Sequence, residues 1–266
     1  MVSANLRRYC FFPLVVLIFS CGHNDEKATS KEMPQEQLLK NDMTRYPDSL
    51  SVIEKLIEYY RNNGDYDSAL AIADNTLKRD SGVAEMWDIK ATLHFENGDT
   101  ANAIKAFETA INIFPLPEYI ISLGTLYAET KDKKALTLAD ALILANRSQA
   151  QKEAIFIKGL YYTYTGDKKT AISLFDSCIR MDYTYMFAYR EKGVALYDMG
   201  RYEDALKVLS KAVTVQNNFD EGYYWMGKCY QQLGRRNEAI QSYQTALMYD
   251  ADFVEANDSL HALGAR

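Results

Sequence analysis

The chain has 266 residues, of which 48% are hydrophobic and 25% are charged, and its formal net charge at pH 7 is −6. A chain this acidic is not expected to bind a nucleic-acid backbone or an anionic lipid surface through its own charge. The 4 cysteines and 3 histidines are scattered without zinc spacing, and there is no Walker loop or nucleophile elbow. The sequence therefore predicts a protein that is not an enzyme and that has no cofactor and no metal site.

The amino-terminal segment predicts a cleaved secretory signal over residues 1–20. Arg7 and Arg8 precede an apolar run over residues 9–19, and this run is far shorter than the roughly 20 residues that a membrane-spanning helix needs. If Arg7 and Arg8 leave with the signal, 28 basic and 36 acidic residues remain. The mature chain would then be still more acidic.

Residues 17–22, LIFSCG, resemble the lipobox of bacterial lipoproteins. This resemblance implies that Cys21 is lipidated and becomes the first residue of the mature chain. Gly22, rather than an aspartate, follows the cysteine and favours the outer membrane, on either its periplasmic or its surface face. The polar residues 21–33 predict a flexible tether. The alternative is an ordinary signal peptide in which Cys21 is incidental.

The next feature is an internal repeat of 34 residues. Glycines and alanines recur at this spacing, and large and small apolar residues recur three and four apart between them, which predicts pairs of helices. A fixed period of this size is typical of a helical solenoid. The recurring residues are Gly159, Gly193 and Gly227; Gly166, Gly200 and Gly234; and Ala171, Ala205 and Ala239.

The repeat resembles the tetratricopeptide repeat. The family's characteristic positions are filled here by Tyr223, Met226, Gly227, Tyr230, Ala239 and Tyr243, with Ala251 in place of the usual proline. The resemblance implies an all-α, right-handed α-solenoid of about six helical hairpins over residues 50–253. A half-repeat helix is expected before it, at 34–48, and a capping helix after it, at 254–266. The six repeats are predicted at 50–83, 84–116, 117–151, 152–185, 186–219 and 220–253.

Particular residues within the repeats predict where the turns and the close helix crossings lie. Gly-Asp pairs at 64–65, 98–99 and 166–167 predict a tight turn followed by an aspartate that caps the next helix. Small residues such as Ala205 are expected where helices cross closely, and Cys178 occupies one such place as a small buried residue. The third repeat loses two residues near 131–134 and regains them before the fourth, which predicts either a hinge or a tolerated irregularity.

The family resemblance also implies a concave groove lined by the first helix of each repeat. The register predicts an acidic part formed by Glu54, Glu58, Glu85 and Asp88. It predicts an aromatic part formed by Tyr164, Phe187, Tyr197, Tyr224 and Trp225, flanked by exposed Arg190 and Lys228. The alternative interpretation is that each of these acidic residues is only solvated on a helix face and that each aromatic residue only fills the core.

One sub-class of the family binds the carboxyl terminus of chaperones through basic groove residues. Acidic and apolar residues such as Glu54, Glu58 and Trp225 stand at the equivalent places here, so that function is not indicated. The favoured hypothesis is an adaptor on the bacterial outer membrane that binds a protein segment and assists envelope or secretion-complex assembly. That segment would carry apolar residues at one end and Lys or Arg at the other. A cell-wall or carbohydrate-binding module is the alternative, since tyrosines supply stacking faces.

Overall fold

The computed structural model describes residues 33–144 and 150–265. These residues form fourteen α-helices and no β-strand, which confirms the predicted all-α helical-repeat fold. The predicted signal peptide, Cys21 and all of the predicted tether except Met33 lie outside the described residues. The helices are α1 Gln35–Arg45, α2 Leu50–Asn62, α3 Tyr66–Arg79, α4 Ala84–Glu96, α5 Thr100–Ile113, α6 Pro117–Glu129, α7 Lys134–Leu144, α8 Gln151–Thr165, α9 Lys168–Met181, α10 Met186–Asp198, α11 Tyr202–Val215, α12 Asp220–Gln232, α13 Arg236–Tyr249 and α14 Val254–Ala262.

Two compact units share these helices, one ending at Pro115 and one beginning at Leu116. In the first unit, each of α1 to α4 packs against the next helix along the chain. Its core is formed by apolar residues of α2, α3 and α4, including Ile53, Leu56, Ala69 and Met86. No helical pair buries its apolar face alone, so each depends on its neighbour for stability.

The second unit, α6 to α14, adds contacts between first helices of successive repeats. The pairs α6 and α8, α8 and α10, and α10 and α12 touch across the second helix that separates them in sequence. Ala171, Ala205 and Ala239 are fully buried, and so are Phe175 and Tyr243. Small residues thus let the helices approach, and aromatic rings fill the space beside them, as the register predicts.

Glycine in the left-handed backbone region ends most first helices. Gly64 has φ 73° and Gly234 has φ 71°, a conformation that glycine adopts without steric cost. The next helix is then capped by an aspartate in three repeats. Asp65 accepts a hydrogen bond from the Ser68 amide at 3.1 Å, and Asp99 and Asp167 do the same at their helices. The capping predictions are therefore confirmed.

The third repeat is irregular where the sequence indicates. Lys131 takes the left-handed place that glycine holds in other repeats, with φ 61°. The helix that follows, α7, has 11 residues, whereas the corresponding α5 and α9 each have 14. Ala135 is the second residue of α7, whereas Ala103 and Ala171 are the fourth residues of α5 and α9, so α7 begins two residues later relative to this alanine.

Candidate functional site

The predicted acidic residues of the first unit meet at one concavity between α2 and α4. Its volume is about 280 Å³. Three of the four predicted acids contribute to its lining, since they lie on facing sides of the two helices. The lining residues are Glu54, Ile57, Glu58, Arg61, Asp88, Ile89, Thr92 and Leu93.

The fourth predicted acid, Glu85, contacts Glu54. Burial is the main cause that raises the pKa of Glu54, and the carboxylate of Glu85 raises this pKa further. Two carboxylates in contact disfavour the doubly ionised state because like charges repel. The acidic pair is therefore a place where a cation would be electrostatically favoured.

One ion pair links α2 to α4 at the end of this concavity. Arg61 Nε donates to Glu96 Oε2 at 2.6 Å, and Arg61 Nη2 donates to Glu96 Oε1. The Glu96 side chain is 9% exposed and the Arg61 side chain 27% exposed. This two-bond geometry fixes the guanidinium more firmly than a single contact would.

In the second unit, Trp225 is at the centre of an aromatic cluster on α10 and α12. Its ring centroid lies 5.5 Å from that of Tyr197 and 5.5 Å from that of Tyr224, in edge-on geometries. Tyr224 also packs on Tyr243 and on Phe253 at 4.9 Å, so part of its ring belongs to the core. Trp225 and Tyr197 are partly exposed.

Arg190 does not flank these aromatic residues as an exposed cation, and that prediction is wrong. It is 3% exposed. Its Nη1 donates to both carboxylate oxygens of Glu221 at 3.0 Å, and its Nε donates to Glu191 at 2.9 Å. The register places Arg190 on the inner side of α10, where the carboxylate of Glu221 on α12 covers it. Lys228, the other predicted cation, is partly exposed on α12.

Two other predicted aromatic residues occupy separate environments. Phe187 packs at 5.7 Å against Tyr185 and beneath the guanidinium of Arg190. The hydroxyl of Tyr164 lies 3.5 Å from Glu129 Oε1. Burial, and then the carboxylate of Glu191, raises the pKa of Glu129 to about 8. Tyr164 therefore lies beside a carboxyl group that holds a proton at neutral pH.

Tyr185 is an aromatic residue packed against Phe187 that the sequence interpretation overlooked. It precedes α10, so it lies outside the first-helix register from which the groove residues were chosen. Its ring contacts Phe156 at 5.3 Å, and Lys152 Nζ lies over it at 4.4 Å. The signal that could have identified it is the repeat itself, since Phe219 and Phe253 follow it at intervals of 34 residues and are buried.

The residues with reactive side chains are part of the packed structure. Cys178 and Cys229 are fully buried, and burial raises the pKa of each thiol to about 12. His94 Nδ1 lies 3.4 Å from Asp99 Oδ2. Within the described ranges, no three or more His, Cys, Asp or Glu side chains are placed to hold a metal ion. None of the described helices combines the length and apolar character needed to cross a bilayer.

Family models of the tetratricopeptide repeat match three stretches of the chain. A model described as TPR repeat matches residues 193–234, and models described as tetratricopeptide repeat match residues 54–116 and 220–253. The first stretch includes the aromatic cluster, and the second includes the acidic concavity. The match at 220–253 has the same bounds as the sixth predicted repeat.

Known proteins of several kinds are similar to this chain. Superkiller complex protein 3 of Homo sapiens is 28% identical over 213 residues, which is 76% of this chain and 13% of that protein. The TPR repeat-containing protein YpiA of Bacillus subtilis is 24% identical over 232 residues, which is 82% of this chain and 51% of that protein. The chain thus spans about half or less of the length of these two relatives.

Solved structures show the same fold. A tetratricopeptide repeat protein from Parabacteroides merdae superposes with a TM-score of 0.72 at 18% identity, over 86% of this chain and 91% of that one. PilW, a widely conserved type IV pilus biogenesis factor, gives a TM-score of 0.61 at 17% identity, over 81% of this chain and 98% of that one. At these identities the likeness concerns the fold.

Proposed function

Because this chain is a tetratricopeptide-repeat protein, we propose that it is a non-enzymatic adaptor that binds a segment of another protein on the faces of its first helices. Tetratricopeptide-repeat proteins generally mediate protein–protein interaction. The finer form of the proposal is that the bound protein belongs to an envelope or secretion assembly and that the adaptor acts at the outer membrane.

The observation that carries the proposal is the environment of Trp225. Its indole is partly exposed, yet Tyr197 and Tyr224 hold it from two sides at 5.5 Å. A large ring that is already fixed loses little conformational entropy when a ligand covers it. Tryptophan is among the residues that most often dominate binding energy at protein interfaces.

Site-specific photo-cross-linking tests this proposal. A photoreactive amino acid replaces Lys228, one helical turn from Trp225, and a matched control chain carries it at exposed Gln241 on α13. We expect one protein to cross-link from position 228 and not from position 241, and we expect Trp225→Ala to lower the yield of this adduct strongly. Equal labelling from both positions would contradict the proposal, and recovery of a glycan instead of a protein would support a carbohydrate-binding module.

The membrane part of the proposal is supported by the lipobox resemblance around Cys21. An acyl chain buries methylene groups at about 0.8 kcal/mol each, and stable anchoring takes more than one chain. Cys21→Ser should therefore release the protein from the membrane fraction. Cys10→Ala removes a cysteine from the same segment and should leave the protein membrane-bound. A Cys21→Ser protein that stays in the membrane after a high-salt wash would contradict lipid anchoring.

A further inference from the structure

The concavity between α2 and α4 combines apolar and acidic lining. Ile57 and Leu93 are buried, with 3% and 1% of their surfaces exposed, and Ile89 is partly buried beside them. The carboxylates of Glu54 and Glu58 border the same space. A group that has an aliphatic stem and a positive end matches both parts of this lining.

Negative charge exceeds positive charge in the lining. Glu54, Glu58 and Asp88 contribute carboxylates, while Arg61 contributes the single cation among the described lining residues. That guanidinium is held by Glu96, which lies outside the lining set. The excess of carboxylates therefore remains after the ion pair of Arg61 is taken into account.

A nearby lysine is bound elsewhere. Lys90 Nζ lies 2.6 Å from Asp74 Oδ1 and 5.2 Å from the centre of the Trp87 ring. The charged end of Lys90 therefore contacts α3 and does not line the concavity. The Glu54 carboxylate contacts a second carboxylate, that of Glu85. An incoming cation would relieve this repulsion, which is the basis of electrostatic complementarity at an interface.

We propose that this concavity binds a lysine or arginine side chain of the partner protein. The methylene groups would lie mainly on Ile89, beside the buried Ile57 and Leu93, and the charged end would lie beside Glu54 and Glu58. Long basic side chains bury their stems on apolar surface while their charged ends remain at polar groups. This inference rests on the proposed function, because it specifies the chemistry of the partner at one surface.

Short peptides can test the inference before any partner is known. The probe is acetyl-Ala-Lys-Ala-amide, and the matched control replaces the lysine with norleucine, which keeps the aliphatic stem and removes the charge. Binding to the full chain is followed by amide chemical shifts in NMR spectra. We expect the lysine peptide to shift residues of α2 and α4 in a saturable way and the norleucine peptide to shift them little.

A pair of variants separates the concavity from general attraction to an acidic protein. The double variant Glu54→Gln, Glu58→Gln should weaken binding of the lysine peptide about tenfold. The control Asp42→Asn, Asp67→Asn removes two exposed acids of the same unit and should change the affinity less than twofold. Equal effects of the two double variants, or equal shifts from the norleucine peptide, would overturn the inference.

The proposed function is tested separately from this inference. If a partner cross-links from position 228 and its affinity is unchanged by Glu54→Gln, Glu58→Gln, the basic-side-chain site is refuted while the adaptor function stands. If the lysine peptide binds as expected but nothing cross-links from position 228, the concavity is a site for basic side chains and the proposed adaptor function fails.

Discussion

Replacing Gly227 by alanine tests the packing on which the repeat register depends. Gly227 lies on α12 against the second helix of its own repeat. A Cβ atom at this position would lie 2.5, 2.7 and 3.0 Å from three atoms of the Tyr243 ring. Real Cβ contacts are longer than this, so the ring or the helix must move.

The ring has little room to move. Tyr243 is fully buried, and its hydroxyl donates a hydrogen bond to Gln231 Oε1 at 2.9 Å. Overpacking of this kind costs about 1 to 3 kcal/mol, while the better helix propensity of alanine returns about 1 kcal/mol. Because the Cβ would meet a fixed, buried ring, the overpacking cost should be at the upper end of this range, about 2 to 3 kcal/mol. We therefore expect Gly227→Ala to lower the free energy of unfolding by about 1 to 2 kcal/mol.

Urea denaturation followed by circular dichroism measures this change. Lys228→Ala, the next residue on the same helix, is the matched control and should change the free energy of unfolding by less than about 0.5 kcal/mol. In a double-mutant cycle, Tyr243→Leu should relieve part of the cost of Gly227→Ala. A Gly227→Ala protein as stable as the wild type would refute the crossing geometry described here.

Three further predictions concern charge and packing in the second unit. Burial raises the pKa of Glu129 to about 8. Between its unfolded pKa of about 4.5 and this value, the folded state binds the proton that the unfolded state has lost, so stability falls as pH rises. Between pH 5 and pH 8, the free energy of unfolding of Glu129→Gln should fall by about 2 kcal/mol or more less than that of the wild type, as measured by denaturation curves. An equal fall in both proteins would contradict this prediction. Arg190→Met leaves the carboxylates of Glu191 and Glu221 without their shared cation and should cost about 3 kcal/mol in thermal or urea unfolding. Arg235 forms an exposed ion pair with Glu238, so Arg235→Met should lower the free energy of unfolding by less than about 1 kcal/mol. Equal losses in the two variants would contradict the burial of Arg190. Ala205→Leu adds bulk at a fully buried crossing and should cost about 1 to 3 kcal/mol in the same assay; wild-type stability would contradict that assignment.

The local features were predictable because each depends on residues close in sequence. Asp65 caps a helix because it follows a glycine turn and accepts from an amide three residues on. The 34-residue period likewise identifies Ala205 and Ala239 as crossing residues, since the same helix contact recurs in every repeat. Periodicity therefore predicted the helices, their turns and the small buried residues.

The electrostatic details depend on contacts between helices that the period does not encode. Arg190 has the same register as groove residues in other repeats, but Glu221, 31 positions later, reaches it and buries it. Lys131 shows a similar limit, since the backbone takes a left-handed turn there although the residue is not glycine. Such features depend on particular side chains in one repeat, and so the repeat pattern could not predict them.

The most direct test of the adaptor function is the affinity of the cross-linked partner for variants of the two tryptophans. Trp225→Ala removes the proposed anchor, whereas Trp87→Ala removes an indole whose N–H donates to the Ser81 carbonyl at 2.9 Å within the first unit. We predict that Trp225→Ala weakens binding by about 2 kcal/mol, or about 30-fold, with unchanged helical content, and that Trp87→Ala retains nearly full affinity. Full affinity of a folded Trp225→Ala protein would contradict the account.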